Sequence, residues 1–337
     1  MNFYLIGAEF KNIPEALRDS IFRNRQAICY FCRSINFNSA VLFTCNRVEI
    51  YGVCEDSFSA DKQVDLLTAA YRRLFANGYV VRNNLSFVEA ALNLACGLKS
   101  QILGEEEIIK QLKDWISQDG FSAAVKNFWQ RVLPSAWRIR DSSGITESKY
   151  NLAALIQEDL NNKNNVNEKR KIAIIGTGKV ARMFSDNKLS KEELFFVTRK
   201  NKKRARKLAE KVKGKTVLLD NITGLLSKMD AVVSATSSPH VILRKRHLEP
   251  ALKQRRKTLY IYDLAVPHDV SSEIATLPGL SVITLNGLSK TIAEANRLLS
   301  IPAEKAKVLI GEEKFWLLGE IIKDAHKSRN PPQFVSL

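Results

Sequence analysis

Three consecutive positions, Cys45, Asn46 and Arg47, place a thiol beside a carboxamide and a guanidinium. Ala40 to Phe43 reads as a buried strand that delivers the tetrad Thr44-Cys45-Asn46-Arg47, and Val48 to Val53 as a second strand leading away. A cysteine held at such a junction can act as a nucleophile, because a nearby cation favours the thiolate that covalent catalysis requires. An unshifted thiol is only about 3% thiolate at neutral pH, and a guanidinium that lowers its pKa by one to two units raises that fraction roughly tenfold or more. The plainer alternative is a small buried apolar residue, the usual fate of a free cysteine.

A second group of candidates lies in Lys171-Ile-Ala-Ile-Ile-Gly-Thr-Gly-Lys-Val-Ala-Arg182. The apolar run Ile172 to Ile175 predicts a strand that enters Gly176-Thr177-Gly178 and then a helix through Lys179, Val180 and Ala181. Gly176 permits the tight turn, Gly178 lets the backbone approach a pyrophosphate at the helix N-terminus, and Ala181 meets the need for close helix–strand packing. The next strand, Leu194 to Val197, ends at Thr198-Arg199-Lys200, where an NAD-binding chain would place an acid. Cations at that position favour the 2′-phosphate of NADP. Further strands are predicted at Thr216 to Leu219, from Ala231 and from Leu259, with Ala235-Thr236-Ser237 and Asp263-Leu264-Ala265 at the nicotinamide side. Asp263 is read equally well as an acid satisfied within its own turn.

These groups must be positioned by two different scaffolds. Residues 1–150 alternate strand and helix: Phe3 to Ile6, a helix from Pro14 to Phe31, the cysteine hairpin, and a helix from Asp61 to Phe75. Together they predict a small α/β sandwich. Helices follow at Ser86 to Ala95, from Glu105, at Phe121 to Arg140 and at Asn151 to Leu160, with a glycine-bracketed loop from Gly97 to Gly104. Three acids, Glu105 to Glu107, complement the positive end of a helix dipole. The polar stretch Asn161 to Glu168 reads as a linker. A helical pattern runs from Asn286 to about Lys327, restarted or kinked at Pro302. The expected domains are residues 1–150, 151–285 and 286–337.

Composition narrows the partners. The 337 residues are 45% apolar and 26% charged, as in a globular protein with a real core. No apolar run is long enough to span a bilayer and the N-terminus does not read as a signal peptide, so no membrane is expected. Five cysteines without a secretion signal fit reduced thiols and a cytoplasmic location. Cys29 and Cys32 form a lone CxxC, read as two surface or half-buried thiols, and the four histidines show no ligand spacing. No metal is expected. The net charge of +17 points to a polyanionic partner. It is concentrated after residue 150, above all in Arg199 to Lys215 and Arg244 to Lys257.

With the hairpin cysteine, the segment Gly97-Leu-Lys-Ser-Gln-Ile-Leu-Gly-Glu105, the Gly176 fingerprint and Asp263-Leu-Ala-Val-Pro-His-Asp269 in that order, the chain resembles glutamyl-tRNA reductase over residues 1–300. The resemblance implies an α/β fold comprising an N-terminal α/β catalytic domain, a Rossmann-type NADP-binding domain and a long C-terminal helix. It also implies an activity. Cys45 attacks the ester joining glutamate to the 3′ end of its tRNA and holds glutamate as a thioester, which NADPH reduces to glutamate-1-semialdehyde. This is the first step towards 5-aminolevulinate and tetrapyrroles such as haem. Thr44, Asn46, Arg47, Ser100, Glu105, Glu106, Glu107 and Gln111 would contact substrate, Arg47 through its bidentate fork. Gly176, Thr177, Gly178, Lys179, Val180, Ala181, Thr198, Arg199 and Lys200 would bind NADPH. Implied partners are glutamyl-tRNA(Glu) and the downstream glutamate-1-semialdehyde aminomutase.

Three departures from the family pattern matter. Ala90, beside Glu89, stands where the family carries a histidine credited as general base, and a lost acid–base group typically costs about 10²–10⁴-fold. Glu106-Glu107 replaces the usual Pro-Gln. The helical dimerisation domain of typical relatives is expected to be truncated or absent, which leaves monomer and homodimer both open. Two other functions stand beside the reductase: a cysteine-dependent NADP acyl or aldehyde dehydrogenase with a small substrate, and a tRNA-binding regulatory derivative.

Overall fold

The computed structural model describes residues 1–9, 12–44, 46–118, 120–147, 150–163, 169–253 and 255–329, without the side chains of 15, 16, 147 and 325–329. The chain divides into two compact units, Met1–Ser148 with Asn296–Leu337, and Lys149–Ala295. The helix Ser300–Arg329, expected as a segment of its own, packs in the first unit on the helices Ala123–Ser143 and Asn84–Ala95. It contributes Ala306, Ile310, Leu317 and Ile321 to their core.

In the first unit, strands β1 (Asn2–Glu9), β2 (Ser39–Phe43), β3 (Arg47–Cys54) and β4 (Tyr79–Val81) form an antiparallel sheet in the order β2-β3-β1-β4. Side chains alternate across each strand. Phe3 and Leu5 of β1 join one core with Tyr51 and Val53, while Tyr4, Ile6 and Ala8 join the other with Val48 and Ile50. The sheet is therefore covered on both faces. Arg47 and Glu49 share the parity of Tyr51, so the end of β3 carries charge into the face covered by helices Asn84–Ala95, Glu106–Ile116 and Ala123–Ser143.

Several expectations are corrected. The helix predicted from Pro14 to Phe31 is two helices, Glu15–Arg23 and Arg25–Ile35. Asn24 interrupts it and donates its amide to Ser20 O at 2.8 Å, a local bond that competes with helix continuation. Cys32 is fully buried, not a surface thiol. The expected linker begins later, because the helix Leu152–Lys163 continues through 163, where Lys163 pairs with Asp159 one turn back; residues 164–168 lie outside the described residues. The C-terminal helical pattern breaks between Leu298 and Ser300, so Pro302 sits in the first turn of the second helix, where a missing N–H is harmless.

In the second unit, β5 (Arg170–Ile175), β6 (Glu192–Thr198), β7 (Lys215–Leu218), β8 (Ala231–Ser234), β9 (Leu259–Asp263) and β10 (Leu280–Thr284) form a parallel sheet. The order is β10-β9-β8-β5-β6-β7, the doubly wound arrangement of dinucleotide-binding folds. The central strands are buried on both faces, as continuous runs such as Ile172 to Ile175 require. Their order places the topological switch point between β5 and β8.

Candidate active site

The tetrad occupies the β2–β3 junction. Cys45 lies outside the described residues, but its neighbours define a tight turn. Thr44 N donates to Arg47 O at 3.0 Å. Thr44 Oγ1 accepts from the backbone N–H groups of Asn46 at 3.2 Å and Arg47 at 3.1 Å. A buried threonine hydroxyl thus ties the end of β2 to the start of β3.

Asn46 and Arg47 both reach the Gly97–Gly104 loop. Asn46 donates its amide to Lys99 O at 3.4 Å and accepts from Gln101 Nε2 at 3.5 Å. The Arg47 guanidinium donates to the same Lys99 carbonyl. The structure therefore brings Asn46 and Arg47 to the loop that contains half-buried Ser100, while Thr44 bonds within the tetrad. The loop depends on left-handed glycines. Gly97 has φ +77°, and a Cβ there would lie 3.1 Å from Glu105 N. Gly104 has φ +69°, and its Cβ would lie 2.7 Å from Ile145 O.

Arg47 is 3% exposed and already engaged. It lies 3.3 Å from Glu49 Oε1 and 3.8 Å from Glu9 Oε1. Glu49 in turn accepts from Tyr51 OH at 2.6 Å and from Tyr79 OH. Burial opposes the Arg47 charge, but Glu49, Tyr79 and Glu9 outweigh it and raise its pKa. The same burial and Glu49 raise the pKa of Tyr51 and Tyr79, so both phenols stay protonated and donate to Glu49. In this arrangement Arg47 ties β3 to the loop, with its charge paired by Glu49 and Glu9.

The segment after the loop serves a different charge. Glu105 caps the helix Glu106–Ile116, and Glu106 pairs with Lys110 at 2.8 Å. Behind the loop, fully buried Arg140 donates to Cys96 O and Gly104 O at 2.8 Å each. Burial lowers its pKa, against the fields of Glu106 and Glu105. The acids thus offset a buried guanidinium as well as the helix dipole. No hydrogen bond or ion pair among the described residues joins Gln111 to the tetrad. Ala90 is half-buried against the core, and the neighbouring Glu89 pairs with Lys314 at 2.5 Å.

Two loop-holding residues escaped the sequence reading. Arg140 is one. The other is Asn296, which donates to Gln101 O at 2.8 Å and accepts from Leu103 N at 2.9 Å. A basic residue in an apolar helix face was a visible signal for the first; nothing local marked the second.

Apart from Cys45, the cysteines are held as thiols. Burial pushes Cys32 and Cys96 up to about 12 and Cys54 up to about 11, and raises Cys29. At about pH 7.5 fewer than roughly one in a thousand of the first three is thiolate. Iodoacetamide in mild excess is therefore expected to modify the folded chain once. Peptide mapping should place the label on Cys45; dominant labelling of Cys54 or Cys96 would contradict this thiol assignment.

In the second unit the glycine turn lies at the β5–β8 switch point. Gly176 has φ +106°, donates its N–H to Val197 O at 2.9 Å, and a Cβ there would meet Thr236 Cγ2 at 3.2 Å. Gly178 caps the helix Lys179–Asp186, and nothing closer than 4.0 Å would meet a Cβ there, which leaves an open cradle for a pyrophosphate. Thr177, Lys179 and Val180 line the turn half-exposed, with Ala181 buried behind it. At the end of β6, Thr198 is buried and accepts from Asn201 N at 3.2 Å, while Arg199 and Lys200 are exposed. These features fit an adenine dinucleotide with a 2′-phosphate.

The acids of the neighbouring loops are satisfied internally. Asp263 accepts from the N–H groups of Ala265, Asp269 and Val270 at 3.2, 3.3 and 3.2 Å, and contacts His268 Nδ1 at 2.9 Å. Asp269 accepts from Ser234 Oγ, Thr236 N and Thr236 Oγ1 at 2.8, 3.0 and 2.7 Å. Of the two readings of Asp263, the geometry is that of a turn acid. Gly176→Val should abolish NADPH binding, measured by quenching of cofactor fluorescence, while circular dichroism stays near wild type. Unchanged affinity would displace the cofactor from this turn.

A doubly wound dinucleotide-binding unit and a second α/β unit built on an antiparallel sheet define the class of fold. A family model described as glutamyl-tRNA(Glu) reductase, N-terminal domain, matches residues 6–142, and one described as shikimate/quinate 5-dehydrogenase matches residues 158–291. Curated relatives include the glutamyl-tRNA reductase of Methanococcoides burtonii, 27% identical over 91% of this chain and 72% of its own length. That of Roseiflexus sp. is 26% identical over 93% and 76%. Among solved structures, glutamyl-tRNA reductase from Methanopyrus kandleri shares the fold, with TM-score 0.51 and 23% identity over 97% of this chain and 82% of that one. The chain is similar to curated glutamyl-tRNA reductases over most of its length, and the model of that family's N-terminal domain covers residues 6–142. No described helix is long and apolar enough to cross a membrane.

Proposed function

We propose that this chain reduces glutamyl-tRNA(Glu) to glutamate-1-semialdehyde through a thioester on Cys45, in the cytoplasm, at the entry to tetrapyrrole synthesis. The observation that carries this reading is the convergence of Asn46 and Arg47 on Lys99 O of the glycine-bracketed loop. Cys45 Sγ attacks the ester carbonyl carbon; the carbon–sulfur bond forms, the bond to the ribose oxygen breaks, and the thiol proton passes through solvent to that oxygen. The ester is already activated, so the main demand is thiolate formation, which a guanidinium two residues along the chain, that of Arg47, would assist.

Asn46 and Ser100 orient the glutamyl group, while the Arg47 fork is held by Glu49 and Lys99 O. NADPH supplies the hydride that releases the aldehyde and returns the thiolate. Gly176 and Gly178 admit its pyrophosphate, and Arg199 and Lys200 meet its 2′-phosphate. The product is a reactive aldehyde, which an aminomutase on the same route would consume.

A single-turnover assay with charged tRNA, with and without NADPH, tests the reading. Aldehyde should form only with NADPH, and apparent affinity should fall steeply with salt. Reduction of small acyl esters with no salt dependence and no response to glutamyl-tRNA would favour a small-molecule dehydrogenase instead.

A further inference from the structure

The helix Lys202–Lys211 carries a charge pattern that opposes its own stability. Lys202, Lys203, Arg204, Arg206 and Lys207 are all exposed, while Ala205, Leu208 and Ala209 form the buried face. Three of these cations fall in the first turn, where the helix dipole is positive and disfavours them. Lys202 with Arg206, and Lys203 with Lys207, are like-charge pairs four residues apart, which also destabilise a helix. Among the described residues none of the five forms an ion pair, whereas the later Lys211 and Lys215 pair with Asp186 and Glu193 at 2.7 Å each.

The second basic run behaves differently. Lys245 pairs with Glu249 at 3.3 Å, and Arg255 donates to the carbonyls of Leu226 and Ser227 at 3.1 Å each. Those cations serve the fold. The five on Lys202–Lys211 do not.

A ten-residue helix is about 15 Å long, so its cations cannot converge on the single phosphate that Arg199 would meet at the end of β6. The length suits several phosphates in succession. The exposed face holds no large apolar residue, which a helix lying in a membrane surface would need.

We propose that this face of Lys202–Lys211 is an RNA-binding surface that engages successive backbone phosphates of the tRNA; it rests on the reading of glutamyl-tRNA as substrate. The contact reads charge and not sequence, so it anchors the tRNA body while the acylated end is selected elsewhere.

The full chain is compared with Lys203→Glu/Arg206→Glu/Lys207→Glu and with the corresponding triple glutamine variant, by filter binding of uncharged tRNA(Glu) across a salt series. The reversal variant should bind about 100-fold more weakly at low salt, and the slope of log affinity against log salt should shrink by roughly two to three. The glutamine variant should fall between. NADPH affinity and Cys45 alkylation should be unchanged, and thermal stability should not fall, because self-repulsion is removed.

A wild type that binds tRNA with an unaltered slope in both variants overturns the proposal. So does a parallel loss of NADPH affinity, which would assign the cations to the cofactor. Binding of the wild type to phosphatidylserine vesicles, lost in the variants with tRNA binding intact, also overturns it. A wild type that shows the salt-dependent, helix-dependent binding but reduces no glutamyl-tRNA upholds the surface and sinks the substrate reading alone. Absence of any tRNA binding by the wild type overturns both.

Discussion

Replacing Cys45 with serine is expected to lower semialdehyde formation from glutamyl-tRNA and NADPH by on the order of 10⁴-fold or more. The hydroxyl occupies nearly the same volume but ionises far above neutral pH, and no histidine lies in residues 1–150 to act as its base. NADPH affinity should be unchanged, since the glycine turn belongs to the other compact unit. The thiols of Cys29, Cys32, Cys54 and Cys96 offer no substitute, because burial holds each in the protonated form. Retained reduction in the serine variant would remove Cys45 from the chemistry.

The second large effect concerns stability. Arg140→Ala deletes the only guanidinium that the described residues bring to Cys96 O and Gly104 O, and leaves two buried carbonyls unsatisfied beside a new cavity. The expected cost is about 3–5 kcal/mol, read as a lower denaturant midpoint. Arg140→Lys should recover little of it, because one ammonium group cannot reproduce a fork that bridges both ends of the loop. Because the loop also receives Asn46 and Arg47, activity in the folded fraction should fall too. An alanine variant as stable as wild type would mean that the loop is held by Asn296 and its glycines alone.

The dinucleotide unit was legible because its signals are local: a continuous apolar strand, a glycine turn and a helix follow one another within residues 171–182. The cysteine hairpin was legible for the same reason. What escaped were partners far apart in the chain. Arg47 meets Lys99 O across 52 residues and Tyr79 across 32, so its engagement could not be read from the tetrad. Asn296 clamps Gln101 from 195 residues away. The short edge strand β4 has three residues, and its role depends on pairing with β1. Asn24 shows the opposite case: a strongly helical stretch was broken by one local amide bond that periodicity does not register. Asp263 carried two readings until its backbone donors were seen.

A covalent glutamyl group on Cys45 can be trapped directly. Glutamyl-tRNA labelled in the amino acid is mixed with the full chain without NADPH, quenched in acid, and digested for peptide mass analysis. One glutamyl group per chain is expected, labile to hydroxylamine, on the peptide containing Cys45, with its discharge as aldehyde when NADPH is added before the quench. Label on another cysteine, or aldehyde formation under NADPH with no trapped glutamyl peptide in its absence, would contradict it.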